Sequence, residues 1–206
     1  MKERPILFSA PMVRAIFAGQ KTQTRRVVKL PRGASWSDRL GGTVDGFFFD
    51  DDGLRARGIG ELCCPYGAPG DRLWVRETWA AGACADELSP SELYAPTWLR
   101  DNGGLWYQAG PDPDRVGLVS RRGRWRPSIH MPRWTSRITL EITATRCERL
   151  QEIDDHDAMR EGVSPMGDNS GAYVEAFKDL WGKINGAESW ESNPWVWVVS
   201  FKRVMP

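Results

Sequence analysis

Eight consecutive residues near the amino terminus concentrate side chains that could do chemistry. Residues 19–26 read Gly-Gln-Lys-Thr-Gln-Thr-Arg-Arg, so they hold one ammonium, two hydroxyls and two guanidiniums. Partial desolvation lowers the pKa of an ammonium, and Lys21 could then act as a base near neutral pH. The Thr24 hydroxyl would be a candidate nucleophile beside it. The same composition also fits a solvated turn in which the charged groups face water, so both interpretations stay open.

A second polar segment, 125–134, combines two tryptophans, one histidine and two arginines with two prolines that stiffen it. Aromatic rings stack on nucleobases and guanidiniums bind phosphate oxygens. Arg126, His130, Arg133 and Trp134 are therefore candidate ligand-binding residues on a rim. Tryptophans framed by proline can equally close the end of a β-barrel, and the composition does not choose between the two interpretations.

Glu77 follows an apolar strand pattern, where a buried carboxylate needs a partner. It is a further candidate ligand-binding residue, and a salt bridge with an arginine is its structural alternative. No metal site is predicted, because His130 and His156 have no partners at ligand spacing and the cysteines form no C-x-x-C pair. The Asp-Asp-Asp-Gly run at 50–53 predicts an acidic turn, since a calcium loop needs a later carboxylate. We expect no cofactor.

Length and charge limit the class of protein. The 206 residues, 41% of them hydrophobic, favour a single domain with insertions at about 31–70 and 82–125. Lys and Arg total 28 against 27 for Asp and Glu, so any nucleic-acid contact must come from a local patch. No apolar run approaches the roughly 18 residues of a membrane span, and no signal peptide is evident. We expect a cytoplasmic protein without a membrane partner, and no obligate protein partner can be inferred.

Several regular elements must position these side chains. A helix is predicted from Ser9 to a stop at Gly19, an extended segment after Lys21, and a helix that Asp154 caps and Gly162 ends. Apolar periodicity predicts a further helix at 172–184. It also predicts five strands, at 5–8, 72–79, 105–107, 136–145 and 195–201. These elements predict an α+β fold, a small and mostly antiparallel β-barrel with peripheral helices.

A family resemblance rests on a short motif and its context. The pattern Gly19-x-Lys21-x-x-Thr24-x-Arg26 follows a helix and precedes Gly70-Asp71, the strand 138–145 and an acidic helix ending Arg160-Glu161-Gly162. It resembles the ASCH domain family of the PUA-like superfamily, and most of all its long, phage-associated members. The family's usual pattern has Glu at the position of Thr24. Members that act as N4-acetylcytidine amidohydrolases have Thr there.

The resemblance implies a catalytic set of Lys21, Thr24 and Glu161, with Arg25 and Arg26 binding the ligand. Glu77 is the substitute carboxylate if Glu161 proves remote. The implied function is recognition of RNA or a modified nucleoside in a cleft at the barrel mouth, with amide hydrolysis of an acylated cytidine as the implied reaction. Two alternatives stay open, a ribonuclease of the ASCH type and a non-catalytic module that reads RNA or a modified base.

Overall fold

The chain forms two compact units that are interleaved in sequence. The computed structural model describes residues 1–29, 35–36, 47–49, 56–58, 64–93, 104–110, 121–165 and 171–204. Unit 1 contains Met1–Lys21, Gly70–Ile142 and Phe201–Pro206, and unit 2 contains Thr22–Pro69 and Thr143–Ser200. The predicted single domain stays a prediction. None of the helices in the described ranges is long and apolar enough to span a membrane.

The fold is α+β and its main feature is a five-stranded mixed sheet of order β1-β6-β9-β10-β2. In that order, its strands are Glu3–Leu7, Arg72–Arg76, Thr139–Arg149, Trp195–Val204 and Gln23–Val27. β1 pairs with β6 in parallel, whereas β6 with β9 and β10 with β2 are antiparallel. Within the described ranges no pairing closes this sheet into a barrel, so the α+β prediction is confirmed and the barrel stays a proposal.

Two smaller sheets accompany it. One has the order β3-β4-β5 and consists of Ser35–Trp36, Phe47–Phe49 and Ala56–Gly58; the other pairs β7, Trp79–Ala81, with β8, Leu105–Tyr107. β4 and β5 pair in antiparallel. The acidic turn predicted at 50–53 and much of the two predicted insertions lie outside the described residues.

Helix α1, Ala10–Phe17, lies at the predicted place in unit 1. Ser9 precedes it in extended conformation, and proline stands in the first turn, where its missing N–H costs nothing. Gly19 follows with φ of +73°, a left-handed conformation that glycine adopts without strain. The helix therefore ends where the sequence predicts, and Gly19 stands two residues before Lys21.

Helices α2, Asp155–Arg160, and α3, Ala172–Asn185, belong to unit 2. The Asp154 carboxylate accepts the Asp157 N–H at 2.7 Å, which confirms the predicted N-cap. Asp155 in turn accepts the Gly171 N–H at 2.6 Å and so satisfies a donor at the start of α3. These two caps fix the first turns of both helices.

Each unit has its own apolar core. In unit 2 the core contains residues from α2, α3, β10 and the segments between them, namely Leu150, Ile153, Ala158, Phe177, Trp181, Trp190, Val196 and Val198. In unit 1 one cluster contains Trp79, Ala81, Ala85, Leu93 and Met131. The inward face of the strand predicted at 136–145 is also confirmed, because Ile138, just before β9, and Leu140 and Ile142 on it are buried. Each such large side chain contributes roughly 1.5–3 kcal/mol by leaving water.

Candidate functional site

Strand β2 carries three consecutive buried polar residues in unit 2. Gln23, Thr24 and Arg25 are between 0% and 3% exposed, although neighbouring side chains of a strand point to opposite faces. Both faces of β2 are therefore covered here. Buried polar groups of this kind need internal partners, and those of Arg25 lie in the same unit.

The Arg25 guanidinium is surrounded by three carboxylates. Its Nη2 donates to Oε1 of Glu148 at 2.5 Å and to Oδ2 of Asp157 at 2.7 Å, while Nη1 lies 3.4 Å from Oε1 of Glu161. The ring centroid of Phe177 lies 5.9 Å from the guanidinium carbon. The Arg25 side chain is 0% exposed, so its guanidinium is shielded from water, whereas Glu148 and Asp157 are partly exposed.

A second guanidinium, that of Arg146 on β9, completes what we call the Arg25 cluster: Arg25, Arg146, Glu148, Asp157 and Glu161. Its Nε donates to Glu148 at 2.7 Å and its Nη2 to Asp157 at 2.5 Å. Burial alone would raise the pKa of Asp157, but the hydrogen bond and charge of Arg25, with the charge of Arg146, hold it below its ordinary value. Two cations and three anions give the cluster a formal charge of −1.

Thr24 and Glu161, two of the predicted catalytic residues, both lie buried in unit 2, with exposures of 2% and 4%. Glu161 follows the last residue of α2, and Gly162 after it has φ of +80°. The Thr22 N–H donates to the Arg160 carbonyl at 2.9 Å. This bond joins the start of β2 to the end of α2, next to both predicted residues.

Lys21, the third predicted catalytic residue, is the last residue of unit 1. It is 2% exposed, and its Nζ lies 5.5 Å from the ring centroid of Phe8. Its N–H donates to the Ala15 carbonyl at 3.1 Å, so the backbone at Lys21 is held against the end of α1. The burial that the sequence argument requires of this ammonium is present, and its convergence with Thr24 and Glu161 stays a prediction.

Arg26, a predicted ligand-binding residue, is half-buried on β2 opposite Trp197 of β10. Tyr66 lies close enough for the charge of Arg26 to affect the pKa of its phenol. Burial raises the pKa of the Tyr66 phenol, and Arg26 opposes that rise. Arg26 thus differs from Arg25, whose guanidinium has no exposed surface.

Glu77 is 1% exposed, and Arg137 binds both of its oxygens at 2.9 and 3.0 Å. The Arg137 guanidinium lies 4.1 Å from the ring centroid of Tyr107. A bidentate pair that is stacked on an aromatic ring has a fixed geometry. The structural alternative of the sequence argument, a salt bridge with an arginine, is confirmed for Glu77; its ligand-binding role stays a prediction.

The Arg126 side chain points inward rather than to a rim. The residue is 4% exposed and donates to the Ala85 and Leu88 carbonyls at 2.7 and 2.9 Å. Burial, with a smaller contribution from the charge of Arg124, lowers the pKa of Arg126. The expectation of an exposed charged rim overlooked these carbonyl acceptors, which are more than 30 residues distant in sequence.

The other predicted rim residues have unlike environments in unit 1. His130 is exposed in a single 3₁₀ turn, whereas Trp134 is partly buried against the apolar cluster. Arg133 pairs with the exposed Glu3 at 3.1 Å and lies 5.8 Å from the ring centroid of Trp74. Their ligand-binding role stays a prediction.

Three ligand atoms of Asp154, His156 and Asp157 lie within 4.8 Å of one another on the first turn of α2. Sequence reasoning gave His156 no partner at ligand spacing and did not see this group. Two guanidiniums already bind the Asp157 carboxylate, so it has little capacity left for a cation.

Sequence reasoning also missed Glu148, Asp157 and Arg146 as members of the cluster around the buried Arg25 guanidinium. Arg146 and Glu148 stand two residues apart on β9 and therefore share a face of the strand. This spacing could have indicated an ion pair between them. Asp157 looked like an ordinary acidic residue of a first helical turn.

Searches of known protein families, of curated proteins and of solved structures found no match to this chain.

Proposed function

We propose that this chain recognises RNA or a modified nucleoside and hydrolyses the amide of an acylated cytidine with Lys21, Thr24 and Glu161. The proposal includes a finer fold assignment, a PUA-like domain of the ASCH type. It rests on the resemblance of the motif at 19–26 to that of the ASCH family. It is compatible with the α+β fold and mixed sheet. The barrel of that superfamily would require strand closure beyond the described pairings.

One observation carries the proposal: the three residues of the motif-derived set are all nearly inaccessible to water. Lys21 and Thr24 are each 2% exposed and Glu161 is 4% exposed, whereas lysine and glutamate are almost never buried without a purpose or partner. A solvated turn, the alternative interpretation of residues 19–26, would expose Lys21 and Thr24. The hydrogen bond from Thr22 to Arg160 supports a local association of the two stretches of chain.

The proposed reaction has two steps. The Thr24 hydroxyl oxygen bonds to the acetyl carbonyl carbon of N4-acetylcytidine while Lys21 accepts its proton. The C–N bond then breaks, the exocyclic amine leaves with a proton, and the acetyl group remains as an ester on Thr24. Water hydrolyses that ester, so one water is consumed for each cytidine and acetate released. Glu161 orients Lys21 or protonates the leaving amine, and Arg26 holds a carbonyl or phosphate oxygen of the ligand.

The test is release of cytidine from N4-acetylcytidine, followed by liquid chromatography and mass spectrometry. Thr24→Ala and Lys21→Ala should lower kcat by at least about 100-fold, because each removes a group that reacts directly. Thr22→Ala is the matched control: it removes a half-buried hydroxyl from the same segment and keeps the backbone donor to Arg160. It should retain most of the activity.

Other outcomes would redirect the assignment. If no acylated cytidine is hydrolysed but cytidine or RNA binds with an affinity that falls with salt and with Arg26→Ala, the chain is a reader rather than an enzyme. Shortening of labelled RNA that depends on a divalent ion would instead indicate a ribonuclease. A wild-type protein inactive and non-binding in all three assays would refute the proposal.

A further inference from the structure

We infer that Arg25 is a positioning residue, which holds the Glu161 carboxylate in place and does not contact the ligand. The sequence argument had assigned Arg25 to ligand binding beside Arg26. The inference rests on the proposed function, because it gives Arg25 its role through Glu161. It deepens that function by naming what sets the orientation of the carboxylate.

Burial removes Arg25 from the reach of a ligand. Its side chain is 0% exposed, and its two terminal nitrogens are directed at carboxylates of the protein. Its neighbour Arg26 is half-buried and remains the arginine of this strand that a ligand could reach. Two adjacent arginines of the motif therefore have different roles.

The two terminal nitrogens of Arg25 contact different carboxylates. Nη2 is anchored by Glu148 of β9 and Asp157 of α2, at 2.5 and 2.7 Å. Nη1 is left to face Glu161, at 3.4 Å. A guanidinium is planar and rigid, so fixing Nη2 also fixes the position of Nη1. The anchoring pair thereby determines where the donor to Glu161 lies.

Arg146 offers a matched control within the same cluster. It binds Glu148 and Asp157, as Arg25 does, but no contact in the described part of the chain joins it to Glu161. A purely structural account of the cluster predicts similar consequences for the loss of either arginine. A positioning account predicts that, of the two arginines, only Arg25 strongly affects the chemical step.

The experiment compares steady-state kinetics on N4-acetylcytidine for the wild type, Arg25→Lys, Asp157→Asn and Arg146→Gln, with urea unfolding of each. Lysine keeps the charge but replaces two terminal nitrogens by one, so the anchor and the contact to Glu161 cannot both persist. Arg25→Lys should lower kcat about 10- to 100-fold with KM unchanged, the size of effect that a small displacement produces. Asp157→Asn, which loosens the anchor without altering Arg25 or Glu161, should lower kcat less, also at constant KM. Arg146→Gln should keep kcat within about threefold of the wild type.

Three results would overturn the inference in an active protein. A raised KM with unchanged kcat in Arg25→Lys would show that Arg25 contacts the ligand. Equal losses of kcat in Arg25→Lys and Arg146→Gln, in proportion to their unfolding midpoints, would show a merely structural role. If Arg25→Lys does not fold, an unchanged kcat in Asp157→Asn would also refute it. A wild type that does not hydrolyse N4-acetylcytidine would refute the proposed hydrolysis, and this inference with it. That outcome is recognised because Arg146→Gln is then equally inactive.

Discussion

Each unit contains a buried charged side chain that is held by oppositely charged partners, and the two units differ in the sign and number of those partners. In unit 1 the buried partner is an anion, and Glu77 is matched by one guanidinium that binds both of its oxygens. In unit 2 the buried partner is a cation, and Arg25 faces three carboxylates. The first pair is balanced in charge, whereas the Arg25 cluster has an excess of one negative charge even with Arg146 included.

The difference indicates different roles. A bidentate pair fixes the geometry of both partners, which suits a structural element. In the Arg25 cluster three carboxylates are held around one buried guanidinium, and Glu161 is the most buried of the three. Such groups are useful where a proton or a cationic side chain must be oriented. The proposed reaction accordingly uses Glu161 of the Arg25 cluster and not Glu77.

The largest effect on stability is expected from Arg25→Met, which fills a similar volume but leaves three carboxylates around an apolar side chain. Breaking a buried ionic cluster costs about 3–5 kcal/mol, and urea unfolding monitored by tryptophan fluorescence would measure it. Arg146→Gln is the matched comparison, and since that side chain is 43% exposed we expect a loss below about 1 kcal/mol. Equal losses for the two variants would remove the distinction between the buried and the exposed guanidinium.

A smaller loss is expected from Glu77→Gln in unit 1. The glutamine amide is isosteric with the carboxylate and keeps one acceptor, and Arg137 is 27% exposed, so water can hydrate it. We therefore expect the free energy of unfolding, measured with urea, to fall by about 1–3 kcal/mol. Glu3→Gln, in the exposed pair with Arg133, is the control and should change stability by less than about 0.5 kcal/mol. A cost for Glu77→Gln that exceeds that of Arg25→Met would reverse the order of the two clusters.

The smallest effect is a pH dependence carried by Asp157. Its pKa is lowered in the folded protein, so its ionised form stabilises the fold above the ordinary carboxyl pKa of about 3.9, and this contribution is lost as the pH falls through the lowered value. Asp157→Asn should therefore differ from the wild type by a constant amount near neutral pH, and the difference should shrink below about pH 4. Unfolding midpoints across the acid range test this, and a difference that grows on acidification would contradict it.

The local elements of the fold could be predicted because their signals are local. Gly19 and Gly162 end helices at the predicted positions, Asp154 caps α2, and the alternation of Ile138, Leu140 and Ile142 identifies the inward face of β9. Pairing of distant strands leaves no such signal, so the order of the sheet and its parallel β1-β6 pair were not predicted.

The partners of charged side chains were the least predictable feature. Arg25 meets carboxylates 123, 132 and 136 residues away, and Arg126 donates to carbonyls 41 and 38 residues away. Sequence spacing indicates which arginines are adjacent, but a buried and a half-buried arginine such as Arg25 and Arg26 look alike until the fold supplies their surroundings. The requirement that Glu77 have a partner was predictable, and only the identity of that partner was not.

The central claim, that the Thr24 hydroxyl is the reacting group of a buried nucleoside site, is tested most directly by a single-turnover experiment. Excess protein is mixed with N4-acetylcytidine, quenched with acid at successive times, digested and analysed by peptide mass spectrometry. The account predicts that the peptide containing Thr24 transiently gains one acetyl group at that residue while cytidine is released, and that this does not occur in Thr24→Ala. Release of cytidine with the acetyl group on another residue, or undiminished release by Thr24→Ala, would contradict it.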